Sequence, residues 1–194
     1  MIIIADNDVV HKLTCCDLLN EFLVWLDSPP NQIYILPTLI YKVRRLLKND
    51  EESLARLEQF VKNNTELTPS ANVVNLERFE SLDVGERMLL AVFVENSDKA
   101  KFLTGDKRAI KDIAKLASED INLHACLTNK VECLEMIMLG LINKFSFEVV
   151  NEKVTKRKNI DGVLNLAFGR TEEHAISALN SFIDSIKAEA TFIK

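Results

Sequence analysis

No apolar run in this sequence comes near the ~20 residues that a membrane-spanning helix needs; runs such as 22–26 and 33–36 stop far short. The N-terminus lacks a basic stretch ahead of its apolar segment, which argues against an export signal there. Also missing is any C-x-x-C pair among Cys15, Cys16, Cys126 and Cys133. The adjacent Cys15 and Cys16 lie in a helix-like stretch, where free thiols act as small buried hydrophobes. These absences lead us to expect a soluble, cytoplasmic protein with no membrane partner. Excess positive charge is absent too. A formal net charge of -5 argues against a chain that coats nucleic acid over its whole surface, but leaves room for a basic rim around an acidic pocket. The three histidines, His11, His124 and His174, share no metal-ligand spacing. There is no internal repeat and no low-complexity tract.

What is present is enough for one well-buried core, with 194 residues and 47% hydrophobic content. Residues 1–5 are a β-branched run without polar alternation, as in a strand covered on both faces, and they end at Asp6. Apolar residues then recur at helical spacing from Val9 to Leu26. A second buried strand is predicted at 33–36, followed by helices through Leu39, Val43 and Leu47 and over 51–61. The signal fades over 63–75, where a loop is expected with a brief strand at Val73 and Val74. Helices at 82–94 and 106–117 bracket a strand at 101–104, and 121–124 reads as a last strand. Strands alternating with helices predict an α/β fold, a three-layer α/β/α arrangement around a central parallel sheet. In such sheets ligands bind at the carboxyl ends of the strands. Asp6 and Asp106 each directly follow a predicted strand, so both should project from one edge.

We expect a main domain over 1–128 and a C-terminal helical extension over 129–194. The extension is read as a helix at 128–144, a basic linker at 150–158 and helices within 160–190.

Carboxylates concentrate at element ends: Asp6-Asn7-Asp8, Asp83-Val84-Gly85-Glu86, Thr104-Gly105-Asp106, and Asp112 beyond. Hard cations such as Mg2+ and Mn2+ take oxygen ligands, keep several waters and need few protein carboxylates when phosphate completes the shell. Asp83 and Glu86 also form a D-x-x-E capping pattern, and Asp106 has the position of a helix N-cap, roles that need no metal. What points to chemistry is their occurrence together and in this order.

At these residues the sequence resembles the PIN-domain family of metal-dependent nucleases. The segment from Ile2 to Val10 looks like the family's opening strand and acidic turn. Asp83-Val84-Gly85-Glu86 matches its D-x-G-E motif, and Thr104-Gly105-Asp106 its T-x-D turn. The likeness spans roughly residues 1–124. It implies a PIN-like fold and hydrolysis of phosphodiester bonds, usually in RNA, with Mg2+ or Mn2+. It places Asp6, Glu86 and Asp106 as metal ligands, Asp83 and Asp8 as further catalytic carboxylates, and Thr104, Gly105 and Asn7 as support. Thr104 would hydrogen-bond the Asp106 turn and Gly105 would permit its tight backbone. One position departs from the pattern: Lys42 stands about where the family has its second acid. For nucleic-acid contacts, the candidates are Lys107 and Arg108 beside Asp106, and the cluster Lys153, Lys156, Arg157 and Lys158.

The resemblance also implies partners: an RNA or single-stranded DNA substrate and, because many small members are toxins held by an antitoxin, a protein inhibitor. The extension would then dock that partner, close a homodimer or cover the pocket. Two other readings compete. Lys42 fits a non-catalytic PIN-like module that binds RNA or protein. Asp6-Asn7-Asp8 after the first strand also resembles the nucleophile loop of a haloacid-dehalogenase-type phosphatase, although Asp106 and Asp112 are more widely spaced than that family's late pair and Glu86 has no role in it.

Overall fold

The computed structural model describes residues 2–27, 32–47, 49–157 and 159–193. Five parallel strands form one sheet: β1 (Ile2–Ala5), β2 (Ile33–Ile35), β3 (Thr65–Leu67), β4 (Ala100–Thr104) and β5 (Val131–Cys133), in the order β3-β2-β1-β4-β5. Helices cover both faces, giving a three-layer α/β/α fold. The alternation of side chains along β1 explains why its sequence is apolar throughout. Ile3 and Ala5 join one core with helices α1 (Asn7–Cys15), α2 (Leu19–Leu26), α3 (Leu39–Leu46) and α4 (Glu51–Asn64). Ile4 joins the opposite core with α6 (Val84–Glu95), α7 (Lys107–Glu119) and α8 (Ile121–Leu127). Ile3 and Ile4 are fully buried, and each contributes about 1.5–3 kcal/mol through that burial.

The strand order decides where a site can form. The chain builds outward from β1 through β2 to β3, then crosses back to lay β4 on the other side of β1, so the topology switches between β1 and β4. Ala5 pairs with Leu103 in register, and the carboxyl ends of these two strands open the crevice where α/β sheets bind ligands.

Several expectations need correction. The single helix expected from Val9 to Leu26 is two, because α1 ends in a Schellman motif: Asp17 takes a left-handed conformation (φ 54°) and the Leu18 and Asp17 amides donate to the Leu13 and Thr14 carbonyls. The stretch expected as loop holds β3, and Val73 and Val74 open α5 (Val73–Arg78), capped by Asn72. Residues 121–124 are helix, since the Asp120 carboxylate accepts from the Asn122 and Leu123 amides and starts α8. The final strand is β5, inside the span read as a helix from 128, and it continues the sheet past position 128.

The basic linker at 150–158 is also corrected. Through Thr155 it belongs to α10 (Phe147–Thr155), whose Phe147, Val150 and Val154 are buried at helical spacing while Glu148 and Glu152 face outward. The remaining helices, α9 (Leu134–Phe145), α11 (Gly162–Ala167) and α12 (Glu172–Glu189), pack against one another and against α2 and α7. Among the described residues, no helix is long and apolar enough to cross a membrane.

The contact of α9 with α2 depends on a missing side chain. A Cβ at Gly140 would collide with the Trp25 indole, coming within 2.6 Å of Cε2 and 2.9 Å of Cζ2. Gly140→Ala is therefore expected to destabilise the protein by about 1–3 kcal/mol, read from urea unfolding, and Trp25→Phe in the same chain should recover part of the loss.

Candidate functional site

Each acid reaches the crevice by its own element. Asp6 follows β1, and its backbone amide donates to the Leu103 carbonyl across the switch point (2.9 Å). It occupies the N-cap position of α1, yet its carboxylate makes no capping bond. Asp106 follows β4 and caps α7 through Oδ1, which accepts from the Arg108 (2.8 Å) and Ala109 (3.3 Å) amides. Helix α6 leads into β4 and so runs opposite to the strands, bringing its N-terminus to the same edge. There Asp83 Oδ1 accepts from the Glu86 amide (2.9 Å). The Glu86 carboxylate lines the crevice and also interacts with the Asp83 backbone amide, the return arm of the capping box, which acts to lower its pKa.

Asp6, Asn7, Asp8, Asp83, Gly85, Glu86 and Asp106 line one cavity of about 230 Å3. Leu36, Lys42, Val43 and Leu46 close its other side, and His11 lies one helical turn beyond Asn7. The Thr104 hydroxyl, almost fully buried, joins the two strand ends. It donates to Asp6 Oδ2 (3.3 Å) and accepts from the Asp106 amide (3.1 Å), as expected for the turn.

The electrostatics follow from this crowding. Burial first, then the charge of Asp8 and to a lesser degree Asp106, pushes the Asp6 pKa up to about 6, against the pull of the Asn7 amide and the Thr104 hydroxyl. Glu86 is raised to about 7 by burial and by the charges of Asp83, Asp106 and Asp6. Asn7 is 9% exposed, and among the described residues neither its side-chain Oδ1 nor its Nδ2 has a hydrogen-bond partner. A buried amide with neither group satisfied is costly, and this one borders the acidic cavity. Among the described residues, no group of three or more carboxylate, histidine or cysteine side chains is arranged so that it could hold a metal ion.

Other candidates are held elsewhere. Asp8 pairs with Lys12 (2.6 Å), which also pairs with Asp161 (2.7 Å), the N-cap of α11. Asp8 therefore borders the cavity as a partly neutralised group. Gly105 has another reason to be glycine than the one expected. It has no left-handed backbone, but a Cβ there would collide with Asp8 Oδ2. Lys107 pairs with the buried Glu135 (3.0 Å) and lies over the Phe182 ring. Arg108 is exposed beside Asp106, on a groove shared with Gly162 and Val163.

The basic cluster does not border the acidic cavity. Lys153 bonds Glu21 (2.8 Å) and the Asp17 carbonyl, Arg157 pairs with Asp50 (2.8 Å) and Lys156 with Glu152. Lys153 and Arg157 fasten the C-terminal helices to α2 and α4, and Lys158 lies outside the described residues. The residues that sequence reasoning missed are His11, Lys12 and Asp161. Only the i, i+4 spacing of Asp8 and Lys12 on α1 carried a local signal, since Asp161 is brought in by tertiary packing.

Comparison of the chain with protein-family models, with curated proteins and with solved structures finds no match.

Proposed function

We propose that the protein is a metal-dependent nuclease that hydrolyses phosphodiester bonds, RNA foremost, in the cavity between β1 and β4. The observation that carries this is the meeting of Asp6, Glu86 and Asp106 in one cavity at the topological switch point, beside the unpartnered amide of Asn7. The sequence resemblance to PIN-domain nucleases supports the same reading.

The donors fit a hard cation. All are oxygens, and each acid keeps at least one oxygen clear of the helix amides, as Mg2+ or Mn2+ with a largely water and phosphate shell requires. Asp6, Asp106 and Glu86 would hold the ion, with the Asn7 amide and the second Asp83 oxygen at the margin. When bound, it supplies neutralisation of charge on the phosphate and a more acidic water. The Thr104 hydroxyl fixes the angle between Asp6 and the Asp106 turn. The Asp83 oxygen left clear by the Glu86 amide would orient the attacking water and take its proton. In the reaction the water oxygen bonds to phosphorus, one bridging P–O bond breaks, and the leaving oxygen is protonated from solvent.

The test is incubation of RNA and single-stranded DNA oligonucleotides with purified protein in Mn2+, in Mg2+ and in chelator. Shortened RNA with the cations, and intact RNA with chelator, is the expected result. Binding without cleavage under every condition would leave a non-catalytic RNA-binding module instead. Free phosphate from a small phosphomonoester, with RNA left intact, would make the protein a phosphatase.

A further inference from the structure

The acidic cavity has two unlike walls. On one stand Asp6, Asn7, Asp8, Asp83, Glu86 and Asp106; on the other, Leu36 after β2 with Lys42, Val43 and Leu46 of α3. That second wall offers no side-chain oxygen to a cation. Its polar group is the Lys42 ammonium, on an exposed residue one turn before Leu46 on α3. The neighbouring Arg44 is paired with Glu58 (2.5 Å), whereas Lys42 makes no ion pair among the described residues although carboxylates line the same cavity. The oxygens of the first wall are also partly engaged. Asp8 is held by Lys12, Oδ1 of Asp106 by two amides and Oδ1 of Asp83 by a third. Enough free oxygens remain for one cation with its waters, and the α3 side supplies none for a second.

We propose that the cavity takes a single divalent cation on its acidic wall and that Lys42 is a substrate-binding residue, its ammonium donating to a non-bridging oxygen of the same phosphodiester. This rests on the phosphodiester reading of the site and adds the charge arrangement that receives the substrate. An anionic phosphate entering a cavity rich in carboxylates needs positive charge on both sides. The cation provides it on one wall and a flexible, strongly hydrated ammonium on the other. Lys42 lies at the mouth, so the scissile phosphate of an extended single strand would reach it without unfolding any element.

Calorimetric titration with Mn2+, and oligonucleotide binding followed by fluorescence anisotropy in Ca2+ over a range of salt, test this on the full chain. The wild type is expected to bind one Mn2+. Lys42→Ala should keep that stoichiometry while weakening a single-stranded RNA by about tenfold, the loss of one charge-assisted contact. It should also lower the slope of log affinity against log salt by about 0.7. Lys42→Glu should add a second Mn2+ and weaken RNA further. Two Mn2+ on the wild type, or an unchanged affinity and salt slope in Lys42→Ala, would overturn the inference while leaving the nuclease reading intact. No Mn2+ binding at all, or binding untouched by Asp106→Asn, would remove that reading and this inference with it. Circular dichroism of each variant confirms folding.

Discussion

Replacing Asp6 by asparagine is expected to lower phosphodiester cleavage by about 100- to 1000-fold, the usual cost of removing one preorganised charge-stabilising group, and at the same time to make the cation-free protein more stable. The two effects come from one cause. Asp6 is packed beneath the Thr104 hydroxyl with Asp8 and Asp106 near it, so its ionised form is disfavoured and its pKa stands at about 6 instead of 3.8. A carboxyl whose pKa is raised by folding binds its proton more tightly in the native state. Its contribution is favourable below pH 4 and is lost as pH rises through 6. At pH 7 the ionised Asp6 therefore costs about 2–3 kcal/mol. Asparagine has nearly the same shape, can still accept from Thr104 and carries no charge. The melting temperature of Asp6→Asn should exceed that of the wild type at pH 7, and the gap should close toward pH 4. Mn2+ should raise the wild-type melting temperature and leave the variant unmoved. A purely structural aspartate would give the opposite: a variant that melts earlier at pH 7 with cleavage unimpaired. That outcome would end the case for Asp6 as a ligand.

The second large effect is expected at Lys12. This ammonium is buried between Asp8 on α1 and Asp161 at the start of α11, and it ties the N-terminal part of the site to the C-terminal helices. Burial acts to lower its pKa, but the hydrogen bonds and charges of Asp161 and Asp8 outweigh this and hold it above the ordinary lysine value. Removing one member of a buried ion pair is costly because the partners stay behind without it. Lys12→Met should destabilise the fold by about 2–3 kcal/mol, somewhat less than a fully buried pair because Asp8 is partly exposed. For a chain of this length that is a fall of roughly 4–12 °C in melting temperature. Adding Asp161→Asn to Lys12→Met should recover part of the loss, the signature of coupled groups in a double-mutant cycle. Acid should weaken the same link. In Asp161, burial is outweighed by Lys12 and the α11 amides, which lower its pKa. Its contribution is present above the ordinary carboxylate range and is lost as pH falls through its native value. A Lys12→Met protein as stable as the wild type would show that the bridge does nothing for the fold.

The acids of the site were legible because their positions are local consequences of chain order. A residue that follows a parallel strand must stand at the carboxyl edge, so Asp6 and Asp106 could be placed from periodicity, whereas the Asp83–Glu86 turn was assigned to the site through the family resemblance. The apolar run of β1 announced burial on both faces, and the Thr104 hydroxyl meets the Asp106 turn as expected. Short elements were harder. The three-residue strands β3 (Thr-Glu-Leu) and β5 (Val-Glu-Cys) are too short for a period to show and, unlike the equally short β2 (Ile-Tyr-Ile), each carries a charge in place of an apolar run. The basic cluster failed for a different reason: a charge run says nothing about its partners, and Asp17, Glu21 and Asp50 are distant in sequence.

By itself, the sequence determined the α/β/α layering, the edge on which the acids gather and the hydroxyl that braces them, because all of these depend on spacings within a few residues. Tertiary structure alone decided that Asp161 grips Lys12, that Gly105 makes room for the Asp8 carboxylate, and that His11 borders the same cavity as the acids. The physical reason is range. Backbone periodicity and capping act over one or two turns, whereas ion pairs and packing join whatever surfaces the fold brings together, at separations along the chain that no local pattern encodes.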